Sequence, residues 1–291
     1  MAVILLALGS AVLFGGMTVA LRIALRAHPE PDVGAVASTV VAVLVAGIAA
    51  ALEPGTGELA RPRELAVFAL AGLLAPGVSQ ILFVLAVRDA GASRTAVVVG
   101  SAPLFAATLA ILLLDEPFAW PLALGAVLIV AAGFLLVGEP ERPTQFRLAG
   151  MALALAATAM FSTRDIVVRW YSEDAALGSV EAAAAALAAG ALVMVAWAAA
   201  VRRGALVAAL ASPALLRFLP AGVCFGLSYV LLFEAYYRGK VTVVSPVVAT
   251  ESLWSVLLAA LFLRRSEQVG SRLVLGAALV VAGGALIGAH R

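Results

Sequence analysis

Apolar residues in this chain of 291 residues are gathered into ten long runs separated by short polar breaks. The runs cover residues 2–25, 33–52, 65–87, 95–114, 118–137, 148–170, 177–201, 215–237, 241–263 and 269–288. Crossing the hydrocarbon of a bilayer takes about 20 apolar residues in a helix, and every run reaches that length. The expected fold is all-α and integral to the membrane, with ten transmembrane helices. Composition points the same way: 64% of residues are hydrophobic and 12% are charged, where roughly a quarter would be charged in a soluble domain. Loops this short leave no room for a soluble catalytic or nucleotide-binding domain, and they make consecutive helices antiparallel neighbours.

The breaks are turn chemistry, as in His28-Pro29-Glu30-Pro31-Asp32, Asp115-Glu116-Pro117, Glu139-Pro140-Glu141-Arg142-Pro143 and Arg238-Gly239-Lys240. The first run lacks the basic start of a signal peptide and exceeds its length, so it reads as a retained span. Of 19 basic residues only Lys240 is lysine, and nearly all lie where apolar runs end. That is the pattern of a membrane surface, not of a nucleic-acid patch. Cys224 is the sole cysteine, and His28 and His290 sit in polar ends. No disulfide, metal site or cofactor is expected from such a set. The expected partners are the lipid bilayer and a small-molecule substrate.

The chain repeats itself. At a shift of 147, Phe14 and Arg22 fall on Phe161 and Arg169; at 150, Gly72, Phe83 and Arg88 fall on Gly222, Phe233 and Arg238; at 151, Gly125 and Gly133 fall on Gly276 and Gly284. Arginine and phenylalanine matches in one order at a nearly constant shift divide the chain into two units, 1–140 and 141–291, of five spans each. Five is odd, so the second unit enters the membrane from the opposite side. The expected architecture is two inverted five-helix repeats, as in secondary transporters, where such symmetry supplies related states open to opposite sides.

Ser101-Ala102-Pro103-Leu104-Phe105, the apolar stretch after it to Asp115-Glu116, and the run from Leu124 to Gly133 resemble the end of an EamA-type repeat, of the drug/metabolite transporter superfamily. Ser245-Pro246-Val247-Val248 and the run from Gly276 to Gly284 are similar in the second half. The resemblance covers essentially the whole chain and implies two five-helix units that carry a small molecule. Its motifs are degenerate and speak to the fold far more than to the cargo. One departure is Arg264-Arg265 where the first half has Glu116 after its fourth helix. Orientation is drawn two ways: 12 basic residues beside odd-numbered loops against 7 beside the even loops and the C-terminus put both termini outside by the positive-inside rule, whereas the resemblance implies both inside.

With so few charges, those inside a span are conspicuous. Glu251 stands near the middle of the ninth run, where an ionised carboxylate is costly unless paired, hydrated or protonated. Exchange of a proton or a cation there is the functional expectation, and a hydrogen bond to Ser255 is the structural one. Trp254, at similar depth, is either core packing or one wall of a site. In the sixth run Asp165 and Arg169, four apart with the acid first, are expected to form a helix ion pair. That leaves Arg164 to hold a substrate carboxylate through its planar fork. Ser228 and Tyr229 lie deep in the eighth run, with Ser79 and Gln80 as counterparts in the third; they line a cavity together or bridge helices singly. Tyr236, Tyr237 and Arg238 read as an interfacial belt, with Glu234 paired to Arg238. The expected substrate-binding residues are therefore Ser79, Gln80, Arg164, Ser228, Tyr229 and Trp254, with Glu251 as the coupling residue.

The function expected from this set is secondary active transport, exporting amino acids or related small metabolites across the plasma (inner) membrane by alternating access, with proton coupling through Glu251. A carrier for amphipathic cationic drugs is the alternative. An intramembrane lipid-modifying enzyme fits less well, since the runs hold no clustered Asp pair and no His. No Gly-Lys-Ser/Thr loop is present for nucleotide binding.

Overall fold

Backbone amides in hydrocarbon have no water to bond to, so a chain this apolar satisfies them within helices. The computed structural model describes residues 1–53, 62–114, 120–137, 146–172, 175–202, 213–263 and 270–288, and all regular structure among them is helical. The elements are α1 (Ala2–Ala27), α2 (Pro31–Leu52), α3 (Pro62–Gly72), a π-helical stretch (Leu73–Val78), α4 (Ser79–Ala90), α5 (Ala92–Val99), α6 (Ala102–Leu114), α7 (Trp120–Val137), α8 (Leu148–Ser172), α9 (Ser179–Arg202), a 3-10 turn (Pro213–Phe218), α10 (Leu219–Arg238), α11 (Val241–Val248), α12 (Glu251–Phe262) and α13 (Ser271–Gly288). Pro31 and Pro220 open α2 and α10, where a missing N–H costs nothing. Gly91, at φ 92°, turns the chain between α4 and α5 in a region closed to most side chains. The third run bends where Ala75 leaves helical geometry ahead of Pro76.

Eight helical segments are long and apolar enough to cross a membrane: Ala2–Ala27, Pro31–Leu52, Pro62–Ala90, Leu148–Ser172, Ser179–Val201, Leu216–Arg238, Val243–Phe262 and Ser271–Gly288. They coincide with eight of the apolar runs, and the chain is a multi-pass integral membrane protein. The fourth run is divided into α5 and α6, and the fifth contributes the shorter apolar helix Ala123–Leu135. The breaks at 115–117 and 139–143, the Arg264-Arg265 pair and His290 lie outside the described residues.

The helices pack crosswise between the two halves. A Cβ on Gly72 of α3 would fall 2.6 Å from the Ala186 Cα of α9, and one on Gly222 of α10 would fall 2.7 Å from the Ser38 carbonyl oxygen of α2. Gly222 lies 150 residues after Gly72, and Ala186 lies 148 after Ser38, so one contact occurs twice with the halves exchanged. The same holds for the first helix of each half. Gly15 of α1 sits against α12, its absent Cβ 3.0 Å from the Ser255 nitrogen, and the Ser162 hydroxyl of α8 donates to the Ala102 carbonyl of α6 at 3.2 Å.

Local hydrogen bonds repeat as well. Gly100, Ser101 and Leu104 donate to the carbonyls of Ala96, Val98 and Ser101, while Ala249, Thr250 and Leu253 donate to those of Ser245, Val247 and Thr250. In each half a hydroxyl, Ser101 or Thr250, also donates to the carbonyl three residues back at 2.6 Å. Arg22 Nη1 donates to the Val87 and Arg88 carbonyls at 3.0 and 2.8 Å, at the end of α4. Arg169 Nη1 donates to the Tyr236 carbonyl at 3.3 Å, near the end of α10. A cation at a helix C-terminus satisfies the last carbonyls and opposes the dipole.

Candidate functional site

The centre of the chain is aromatic because equivalent phenylalanines from both halves meet there. Phe14 of α1 and Phe161 of α8 lie edge to face at 6.1 Å, and Phe83 of α4 is 5.3 Å from Phe14 and 6.3 Å from Phe161. One turn beyond Phe161, Arg164 is 3% exposed. Its Cζ is 4.7 Å from the Tyr229 ring, 5.6 Å from Phe161 and 5.9 Å from Phe233. Ring faces stabilise a guanidinium that has left water. Phe225, Tyr229 and Phe233 follow one another at a spacing of four along α10, which stacks them on the face turned to Arg164.

The expected pairing of Asp165 with Arg169 gives way to a different arrangement. Arg164 Nε donates to Asp165 Oδ1 at 2.7 Å, while Arg169 reaches back to the Tyr236 carbonyl. Adjacent helical residues do not normally face each other, but both side chains are buried and the Nε edge of the guanidinium can fold back on its neighbour. Arg164 thus has a partner that local spacing did not disclose. Its Nη1 is still buried without a hydrogen-bond partner, as is the Tyr229 hydroxyl. Tyr236 also departs from expectation: it is buried in the core instead of lying at the interface, with its hydroxyl within hydrogen-bonding reach of Asp165. Glu234 does pair with Arg238, and Ser179 donates to it.

Glu251 opens α12, against Gly15, and is 4% exposed. Asp165 and Arg164 lie within electrostatic range of its carboxylate. Among the described residues none makes a hydrogen bond to that carboxylate. The Ser255 hydroxyl, the expected local partner, is itself buried without one.

The remaining expected residues divide. Gly150 of α8 meets Ala90 of α4, and Phe161 lies near Phe83, so the two helices run antiparallel. That register brings Gln80 to the level of Arg164. Both amide atoms of Gln80 and the Ser79 hydroxyl are buried and unpartnered. Ser228 is engaged elsewhere. Its hydroxyl donates to the Ser10 carbonyl at 3.0 Å and meets the Ser10 hydroxyl at 3.0 Å, and Ser10 donates to the Ser228 carbonyl at 2.9 Å. This clasp of α1 on α10 is the helix-bridging role. Trp254 is half-buried with its Cβ beside Gly15, and it shares no ring contact with the aromatics around Arg164 among the described residues. Sequence reasoning missed Tyr236, Phe161 and Phe233; the aromatic spacing at 225, 229 and 233 was the signal available.

Chemically, the arrangement offers one unpartnered guanidinium nitrogen, one carboxylate without a hydrogen bond among the described residues, and amide and hydroxyl groups among apolar rings. It holds no group of three His, Cys, Asp or Glu side chains that would suit a metal among the described residues. A solved crystal structure superposes with a TM-score of 0.65 at 19% identity, covering 98% of this chain and 95% of that one. At that identity it speaks to the fold alone. Among curated proteins none matches. The model of the EamA-like transporter family matches twice, over residues 1–138 and 148–289. Two matches that together span nearly all of an apolar, all-helical chain leave one conclusion: the chain belongs to the EamA-like transporter family.

Proposed function

We propose that the protein is a secondary active transporter that exports amino acids or related small zwitterions across the plasma membrane by alternating access. The observation that carries this reading is two buried, opposite charges within electrostatic range of each other. Arg164 has an unpartnered Nη1, and Glu251, within electrostatic range of it, has a carboxylate that accepts no hydrogen bond among the described residues. A carboxylate docked on Arg164 and an ammonium docked on Glu251 complete both, and an amino acid carries the two groups on one carbon. Tyr229 and Gln80 supply orienting groups at the same level, and the phenylalanines supply an apolar wall. When substrate is absent, a proton on Glu251 removes the isolated negative charge, which is the basis for proton coupling.

The crosswise contacts support ten spans arranged as two inverted units, 1–140 and 141–291. A contact that recurs with the halves exchanged is what a two-fold axis between them produces, and an axis in the membrane plane inverts the second unit. The paired tightened turns before Ala102 and Glu251, with three-residue hydrogen bonds in each half, lie beside the centre, and transporters of inverted-repeat design bind their cargo at such helix interruptions.

Counterflow in proteoliposomes tests the reading. Vesicles loaded with a millimolar unlabelled amino acid should accumulate the labelled one transiently, whereas a channel shows no such overshoot. Glu251→Gln should abolish the response of transport to an imposed pH gradient, and Arg164→Ala should lower uptake of amino acids far more than that of their decarboxylated amines. Equal loss for both, with Glu251→Gln still responsive to pH, refutes the zwitterion site. Uptake of amphipathic cations alone supports the second reading, which the aromatic rings and the buried Glu251 carboxylate also favour.

A further inference from the structure

Away from the centre, α5, α6, α7 and α8 frame an apolar groove of about 450 Å³. Val98 and Met151 form its floor, and Phe134, Val130, Leu148 and Leu155 form the margins. These margin residues are between 46% and 73% exposed, so the groove opens sideways into the bilayer. Gly133 also lines it, and a Cβ there would meet nothing within 4 Å. One end of the groove is basic. Arg147 immediately precedes Leu148 and is exposed, with no carboxylate paired to it among the described residues. Arg272, also exposed, precedes Leu273, which belongs to the same buried cluster as Met151. Both arginines stand toward the end of α4 that Arg22 caps: the Arg147 N–H donates to the Asp89 carbonyl, Arg22 Nη1 donates to the Arg88 carbonyl, and Leu273 shares a buried cluster with Ala90.

We infer that this groove is a binding site for an anionic phospholipid, with one acyl chain lying along α8 between α5 and α7 and the phosphate held at Arg147 and Arg272. Both parts of the ligand are matched. The apolar channel takes a chain, and the arginines stand where a headgroup lies when that chain is aligned with the helices. A planar guanidinium grips a phosphate through two donors. Juxtamembrane basic pockets between spans favour anionic lipids by an amount equivalent to about fivefold per arginine. A neutral lipid would fill the groove with no reason to stay.

Native mass spectrometry of the purified full chain tests the site, with palmitoyl-oleoyl phosphatidylglycerol and the matching phosphatidylcholine supplied in equal amounts. The expected result is one retained phosphatidylglycerol, preferred at least about fivefold over phosphatidylcholine. Arg147→Ala should cut that preference by about fivefold. Arg26→Ala, at an exposed arginine of the same end on a helix that does not line the groove, should leave it unchanged. Gly133→Phe, which fills open space, should remove the retained lipid without unfolding the protein, as read from an unchanged melting temperature in lipid-free detergent. Equal retention of the two lipids, an Arg147→Ala loss no larger than that of Arg26→Ala, or a dimer in place of the lipid adduct would each overturn the assignment.

Discussion

Replacing Gly72 by alanine is the sharpest test of the crosswise packing. The new Cβ would fall 2.6 Å from the Ala186 Cα and 2.7 Å from its carbonyl carbon, where carbon atoms rest at about 3.5–4.0 Å. Both obstacles are main chain, so no rotamer change relieves them, and α3 and α9 must part by about 1 Å. Overpacking a tight contact costs roughly 1–3 kcal/mol, and backbone obstacles put Gly72→Ala at the upper end, about 3 kcal/mol. Gly222→Ala meets the Ser38 carbonyl oxygen at 2.7 Å and Val41 Cγ1 at 2.8 Å, so it should cost a similar amount. Gly133→Ala is the control: it meets nothing and gains up to about 1 kcal/mol of helix propensity. Thermal unfolding in detergent, at one fixed scan rate because such unfolding is often irreversible, should show both contact variants lowered by about 6 °C or more, at roughly 2 °C per kcal/mol for a chain of this size. The control should be unchanged or raised. If Gly72→Ala melts with the wild type, or falls no further than Gly133→Ala, the close approach is not what holds the halves together.

The remaining predictions concern the centre and its frame. Asp165→Asn leaves the Arg164 charge buried without its carboxylate and should cost about 3–5 kcal/mol; replacing both residues by Met and Leu should cost less than the single change, and a double variant less stable than Asp165→Asn would contradict the pair. For the Ser10 and Ser228 clasp, a double-mutant cycle to alanine should return a coupling of about 0.6 kcal/mol, the average for bonds between membrane helices, and strict additivity would mean that the two hydroxyls act separately.

Length, apolarity and repeat were legible from residues alone because each depends on composition along the chain. A run of some twenty apolar residues forms a helix whatever it packs against, and matched Arg22 and Arg169 report a shared ancestry of position before their cap role is known. Partners were less legible. Asp165 and Arg169 have ideal helical spacing, yet Asp165 pairs with the residue beside it because the tertiary surroundings bury both and bring Tyr236 to the other side. Burial itself is a property of the neighbouring helices: Tyr236 and Tyr237 adjoin in sequence, and only the structure shows the first lodged in the core beside Asp165. Ser228 and Tyr229 likewise adjoin, and they face a helix clasp and an arginine respectively because a helix turns about 100° per residue.

The clasp between Ser10 and Ser228 joins residues 218 positions apart. A chain synthesised at about 5–20 residues per second makes the second serine roughly 10–40 s after the first. Through that interval α1 is already in the membrane while α10 and α12, against which its Ser10 and Gly15 will be buried, do not exist. The Thr18 hydroxyl, bonded to the Phe14 carbonyl within α1 at 2.9 Å, is satisfied from the start, but Ser10 and Arg22 wait for others. Helix α1 is therefore a guest of lipid or of the insertion machinery until α10 and α12 arrive, and a truncated product ending before α10 presents that unpaired surface to the cell's quality control.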